Sequence, residues 1–528
     1  MGTKGRRDWQ RRESLASALV QVGVVAVLLA GVVAFFVHRG TVRKQTAEHL
    51  RAARAAALRG NPADLAKAMT ELEAVLQLDA SARDAQALAA DIQTVLWLEH
   101  RQPGADAKAR AHLARAVELE SQSGERYGAH ALHLLAAGQA AEAEQYLAGL
   151  EARGANNARL TLARALVLQA RGDLPGARQA FARAAEAAWR DPRFTTAYGE
   201  ALLDEGQYPQ AVEAFGKALS VNPAHLLARL SAALAHTYQG RKVDEARQVH
   251  ASVEAHGAEL TPVLRARAGA LKAELALARG APDEALAAAD EALKASADEH
   301  YALFARARAL AVKHDPRTRA AFEAAVARRR NAPLLYLDGA RALQAAGDTG
   351  GALALLDAYE ATFGPVQVTT ADGKQSRLLE EDGRYWLARG GVLEAASRQD
   401  EALAAYDKAM AARGVELAHA QYAKGALLLA RKDYEGARPL LAAVAPDSGA
   451  GTLAEAYSAM GDLLFDQGEH AAACQHYYFG LARARAQGTP REALAERVED
   501  IRKRLESAGQ ARMAKAWKAE SAPLLEEP

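Results

Sequence analysis

The residues best suited to chemistry lie close together near the C-terminus. His470, Cys474 and His476 form the one histidine and cysteine cluster of note, and imidazole with thiolate is a ligand pair that zinc favours. On a helix His470 and Cys474 share a face, whereas His476 points about 200° away from Cys474. A zinc site would need a third and a fourth ligand from elsewhere, so the cluster reads as helix packing, and no metal or cofactor is assigned. The other histidines, such as His130 and His133, are dispersed. HExxH, GxSxG, GxxxxGK[ST] and GxGxxG do not occur, so the usual metalloprotease, hydrolase, P-loop and dinucleotide signatures are missing. Cys474 is the single cysteine, which excludes an internal disulfide or a CxxC metal site. The sequence predicts no catalytic residue, no enzyme and no small-molecule substrate.

Elements that hold no catalytic group must present a surface. The chain has 528 residues, beyond the roughly 250–300 residues of a single core, so it is several domains or a structure that grows by addition. Half of the residues are hydrophobic and 25% are charged, which excludes wholesale disorder. Alanine is abundant and aromatic residues make up only 6%, favouring closely packed helices. Sixty-six basic residues balance sixty-five acidic ones, giving no electrostatic reason for a nucleic-acid partner. The densest basic run after the N-terminus, Arg328-Arg329-Arg330, is explained by a solvated helix end.

Residues 15–37 read LASALVQVGVVAVLLAGVVAFFV without a charge. As a helix the stretch is about 34 Å long, enough for a hydrocarbon core of roughly 30 Å. It exceeds the usual apolar region of a signal peptide and lacks an A-x-A-like exit, so it is expected to anchor the chain. The short tail, residues 1–14, holds Lys4, Arg6, Arg7, Arg11 and Arg12. Arg39, Arg43, Lys44, Arg51 and Arg54 follow the span, but less densely. The positive-inside rule then puts the N-terminus in the cytoplasm of a single-pass inner-membrane protein, with the rest in the periplasm if the cell is Gram-negative.

Beyond the span, Gly104, Gly138, Gly172, Gly206 and Gly240 recur every 34 residues. Around them recurs a pattern clearest in Tyr198, Gly199, Gly206, Tyr208, Ala211, Phe215, Ala218 and Pro223. Weaker copies hold Gly172, Ala177, Phe181 and Ala184, or Gly280, Ala285 and Ala292; later ones hold Trp386, Gly390, Ala402 and Tyr406, or Gly461, Gly468, Ala473 and Tyr477. The period and pattern resemble the tetratricopeptide repeat. That resemblance implies an all-α, right-handed superhelical solenoid of about 11–12 helix-turn-helix units, arrayed over residues 46–363 and 383–489. Gly199, Gly206, Ala211, Phe215, Ala218 and Pro223 would be its repeat-packing residues.

Residues 364–382 interrupt the rhythm with β-formers around an Asp372-Gly373 turn, a short hairpin or loop, read as a surface feature although solenoid insertions often map to the binding face. Residues 490–528 supply a charged capping helix and tail. Some relatives clamp a C-terminal carboxylate with Lys and Asn, but this chain has only Asn61, Asn156, Asn157, Asn222 and Asn331, none at the groove position. On the family pattern the concave face carries Leu162, Leu166, Leu230, Leu234, Tyr238, Leu387, Tyr422 and Phe465, with Glu200, Arg341 and Asp462 among them. Such a surface suits a helix or a folded partner. The expected function is a membrane-anchored scaffold that binds other proteins of a cell-envelope assembly (secretion, pilus, motility or cell-wall machinery). The alternatives are a periplasmic chaperone-like protein at the translocon and, of another class, a regulatory subunit of an enzyme complex.

Overall fold

A computed structural model describes residues 4–257, 260–369, 373–412 and 417–526, and side chains from residue 17 onward. Residues 1–3, the basic side chains before residue 17, and Asp372 of the insertion's turn therefore lie outside the described residues. Among the described residues are 27 α-helices and two three-residue strands. The helices alternate in antiparallel pairs and make a helical-repeat solenoid.

The unit of helices Pro192–Asp204 and Tyr208–Val221 shows how the sequence builds a pair. The Asp191 side chain accepts from the Arg193 N–H and Pro192 occupies the first turn, where a missing N–H costs nothing. The helix ends at Gly206, whose φ is 71°. The Gly206 N–H then reaches Leu203 O at 2.9 Å and the Gln207 N–H reaches Leu202 O at 2.8 Å, satisfying two end carbonyls. The same turn closes at Gly138, Gly172, Gly240, Gly280, Gly347 and Gly468, all with positive φ. At His314, Ser397 and Lys432 a non-glycine residue takes the left-handed position, with φ of 51°, 60° and 62°. Gly104 differs from the others on its 34-residue ruler, because it begins helix Ala105–Glu118 instead of ending a helix.

Within a pair, contact is set by a small residue facing a large one sixteen positions on. A Cβ built on Gly199 would lie 2.5 Å from the Phe215 ring, and one on Gly461 equally close to Tyr477. Gly390 faces Tyr406 in the same way, and Gly425 and Gly339 face Leu441 and Leu355. Ala211, Phe215 and Ala218 are fully buried, and one continuous core runs through successive pairs from Leu174 to Val392. Pro223 is exposed in the link to the next pair.

The strands Gln367–Thr369 and Gln375–Arg377 pair antiparallel, with Val368 opposite Ser376. Val368 is buried, and Val366 lies against Gly172, so the hairpin docks on a pair almost two hundred positions earlier. At the C-terminus, helices Arg491–Ser507 and Ala511–Ser521 fold back, burying Trp517, whose indole N–H donates to Val498 O at 2.9 Å.

The first helix, Lys4–Ala57, is continuous over 54 residues, about 80 Å. From Leu19 to Val37 its large apolar side chains are exposed, whereas Ala53, Ala56 and Ala57 join the first core with Leu65 and Leu72. It is one helix long and apolar enough to cross a membrane.

The superhelix also closes on itself. Asn61 Nδ2 donates to Ala224 O at 3.1 Å, Asn222 Nδ2 donates to Arg59 O at 2.6 Å, and the Leu226 N–H donates to Asn61 Oδ1 at 2.9 Å. Further along, the Arg384 guanidinium donates to Glu205 O. An open concave groove through the middle of the array is therefore replaced by contacts between distant units.

Two substitutions test this packing. Gly199→Ala pushes a methyl group into Phe215 and should destabilise the array by about 1–3 kcal/mol, with hydrogen exchange rising first in Pro192–Asp204 and Tyr208–Val221. Lys432→Gly relieves a left-handed side chain and should stabilise by about 0.5–1 kcal/mol. A Gly199→Ala chain with unchanged exchange in those two helices would contradict the contact.

Candidate functional site

The inner face of the middle units is the most elaborated surface of the molecule, and it is built from charges. Arg267, on helix Pro262–Ala278, is 3% exposed. Its Nε donates to Glu299 at 2.6 Å, and its Nη1 donates to Glu200 at 2.9 Å and to the Ser231 hydroxyl at 2.7 Å. Its guanidinium stacks 4.3 Å above the Tyr301 ring. Burial disfavours its charge, but Glu200 and Glu299 outweigh that and hold its pKa well above the ordinary value. One arginine thus ties together four helix pairs.

Asp204, 1% exposed, is the second hub. Arg329 donates to its Oδ2 at 2.8 and 3.0 Å, Tyr301 donates to its Oδ1 at 2.9 Å, and His300 Nε2 lies 3.0 Å from the same oxygen. Burial would push the carboxyl up, but Arg329 and His300 hold it well below the usual carboxylate range. Nearby, Tyr208 donates to Asp338, and Arg308 pairs with buried Glu274. Removing one member of such a set leaves an uncompensated buried charge, which is strongly destabilising.

The inferred concave residues meet different fates. Leu162, Leu230 and Leu234 are buried in the core, because their register faces the neighbouring pair, and they cannot contact a partner. Leu166 is half-buried against the same core. Tyr238 is held between Tyr208, at 5.5 Å between ring centroids, and Phe304, at 6.3 Å. Glu200 is committed to Arg267, and exposed Arg341 pairs with Asp338 at 2.6 Å. Arg504 of the capping helix lies 4.2 Å over the Phe465 ring and pairs with Asp462, so both are engaged by the chain's own cap. Leu387 and Tyr422 are half-buried, each packed against a core cluster of the C-terminal units. The structure does not gather these eleven residues into one groove.

The histidine and cysteine cluster is likewise dispersed. His470 packs on Phe465 at 4.7 Å between centroids, His476 Nδ1 lies 3.0 Å from Ala472 O, and burial pushes the Cys474 thiol up to about 11. Among the described residues no group of three or more His, Cys, Asp or Glu side chains could hold a metal ion.

Sequence reasoning missed Asp204 and Arg267, and it read Arg329 as part of a solvated helix end, whereas its guanidinium is tied to buried Asp204. Asp204 follows Leu202 and Leu203 at a helix end, where a carboxylate passes for surface, and its partners lie about a hundred positions away. It also missed Trp189, a tryptophan 60% exposed, with Arg190 stacked at 4.7 Å.

Glu205, 4% exposed beside the Asp204 hub, gives this network a pH signature. Burial pushes its carboxyl from 4.5 to about 7, against the pull of Arg178 and Arg384. Its contribution to stability is thus complete below about 4.5 and lost as the pH rises through about 7. Glu205→Gln should leave thermal stability nearly unchanged at pH 4.5 and raise it at pH 8, by roughly 3 kcal/mol at most. Equal shifts at both pH values would contradict a carboxyl held neutral by burial.

No protein-family model matches the chain, and no curated protein sequence does. Among solved structures, a human IFIT1 dimer with PPP-AAAA is 17% identical, with 77% of this chain and 95% of that one covered at a TM-score of 0.42. The APC/C hetero-tetramer Cut9–Hcn1 is 13% identical, with 82% and 92% covered at a TM-score of 0.39. These are likenesses of fold alone. The helix pairs, their glycine-closed turns and their small-to-large contacts themselves make this chain a tetratricopeptide-type helical-repeat solenoid.

Proposed function

We propose that the chain is a membrane-tethered scaffold whose solenoid lies outside the cytoplasm and binds other proteins of a cell-envelope assembly. The observation that carries this reading is the continuity of helix Lys4–Ala57, which passes from an exposed apolar stretch directly into the core of the first pair. Exposed apolar surface of that extent calls for a partner phase, and a lipid bilayer matches its length. A solenoid built rigidly onto its own anchor suits holding partners at a fixed place. The dense basic tail on the short N-terminal side favours a cytoplasmic N-terminus.

Protein recognition is the role that an extended helical array supports best, because each added pair adds surface without requiring a larger core. With the middle of the inner face filled by its own charge network, partners are left the half-buried Leu387 and Tyr422 and the exposed aromatic Trp189. Aromatic residues set in partly desolvated surroundings commonly dominate interface energetics.

The full chain should fractionate with membranes, and a reporter active only outside the cytoplasm, fused after Pro528, should be active. An inactive reporter on a stably expressed fusion would reverse the orientation. A photo-crosslinking residue at Tyr422 or Trp189 in native membranes should capture a small set of proteins in fixed ratio. A broad set in no fixed ratio would favour the chaperone reading, and capture of nothing at either position would overturn the scaffold. Tyr422→Ala should weaken capture by about 2 kcal/mol, measured where the variant is still folded.

A further inference from the structure

Just past its apolar run, the first helix carries positive charge that the chain leaves unmatched. From Leu15 to Ala47 the sequence holds no Asp or Glu, while Arg39, Arg43 and Lys44 follow within seven residues of Val37. All three side chains are exposed, and among the described residues none of them makes an ion pair or a hydrogen bond. In the solenoid, exposed helical arginines such as Arg110 and Arg319 pair with carboxylates one turn away, Asp106 and Glu323. Glu48, one turn beyond Lys44, is the first acid after the span and pairs with none of the three.

The solenoid does not cover these charges. Helix Pro62–Leu78 runs back along the first helix, with Asp64 near Arg59 and, further on, Glu71 paired with His49 at 2.8 Å. Val42, Thr46 and His49 are half-buried and Ala53 is buried, which marks the packed side. Arg43 and Lys44 stand about 100° and 200° around the helix from Val42, and Arg39 lies one turn below Arg43. The acid at the near end of the returning helix is already engaged, since Asp79 accepts from the Ser81 N–H and hydroxyl at 2.9 and 2.5 Å. Along the axis, Arg39 lies about 3 Å beyond Val37 and Lys44 about 10 Å. The headgroup zone of one leaflet is roughly 5–8 Å deep, and long basic side chains bend back toward an interface. All three charges therefore reach the phosphate level of the leaflet on the solenoid side.

We propose that Arg39, Arg43 and Lys44 form a docking surface for anionic phospholipid headgroups, which supply the negative charge that the chain itself withholds here. Two guanidinium groups and an ammonium match phosphate oxygens as charge-assisted donors, and each basic residue held at an anionic surface strengthens attachment about fivefold. The inference rests on the membrane-anchor reading. It holds for either orientation of the span, because it concerns the leaflet on the solenoid side. The same helix enters the first core at Ala53, so headgroups bound at Arg39, Arg43 and Lys44 fix the height at which the solenoid stands above the bilayer.

The test places the full chain in phosphatidylcholine membranes with a trace of spin-labelled lipid. Electron spin resonance then compares labelled phosphatidylglycerol with labelled phosphatidylcholine of the same acyl chains at the protein boundary. The unaltered chain should hold phosphatidylglycerol about threefold more strongly or better, and salt at about 0.5 M should erode that preference. The triple variant Arg39→Gln, Arg43→Gln, Lys44→Gln should lose about half of it or more. A control that removes three exposed solenoid charges, Lys108→Gln, Arg183→Gln and Lys272→Gln, should keep it. The basic tail of Lys4, Arg6, Arg7, Arg11 and Arg12 is unchanged in every chain and supplies a constant background. Millimolar inorganic phosphate should displace no labelled lipid, which separates a headgroup surface from a free-anion site. Equal binding of the two lipids, an unchanged preference in the triple variant, an equal loss in the control, or displacement by phosphate overturns the proposal and leaves the anchor standing. A chain that stays outside the membranes overturns the anchor and the proposal with it.

Discussion

Everything above the level of a single helix depends on how closely two helices of a pair approach. Gly199 against Phe215, Gly390 against Tyr406 and Gly461 against Tyr477 place a bare backbone against the face of a ring. That contact fixes separation and crossing together, because the ring fills the only space the missing side chain leaves. Repeating one pair geometry along a chain turns the stack by a constant amount per unit. Here the accumulated rotation brings Arg59 and Asn61 back onto Asn222 and Ala224.

Closure changes what the interior must contain. A groove open to water tolerates charges singly, whereas an enclosed one requires each to be matched. Arg267 between Glu200 and Glu299, and Asp204 between Arg329, His300 and Tyr301, meet that requirement with side chains drawn from several pairs. The hubs couple units that are not neighbours, so the middle of the array departs from a purely nearest-neighbour solenoid. On the proposed reading, the same enclosure leaves the exposed surface and the C-terminal units to protein partners.

The helical pairs and the long exposed helix could be read in the sequence, because both are written in local spacing. Gly206 has to be left-handed for its helix to end there, and an uncharged run of twenty-three residues has no place in a solenoid core. The inner face was much less legible. Leu230 and Leu234 have the spacing of an exposed concave stripe, yet both are fully buried because the next pair lies over them. Phe465 and Asp462 lie beneath Arg504, which comes from the cap and not from the repeat. Asp204 and Arg329 meet across 125 positions, and no periodicity within a unit encodes a pairing between units. His314, Ser397 and Lys432 mark turns that a search for glycine passes over, since the left-handed position costs an ordinary residue about 1–2 kcal/mol and is not forbidden to it.

Closure of the array through Asn61 and Asn222 can be tested by a distance. Spin labels at Arg59→Cys and Val221→Cys, both exposed positions, in a Cys474→Ser background, report on two points far apart in sequence whose neighbourhoods touch through Asn222. Pulsed dipolar spectroscopy on the full chain in nanodiscs should give one short, narrow distance distribution, and Asn222→Ala should broaden it. A long or broad distribution in the unaltered background would mean an open superhelix, and the enclosed interior would be contradicted with it.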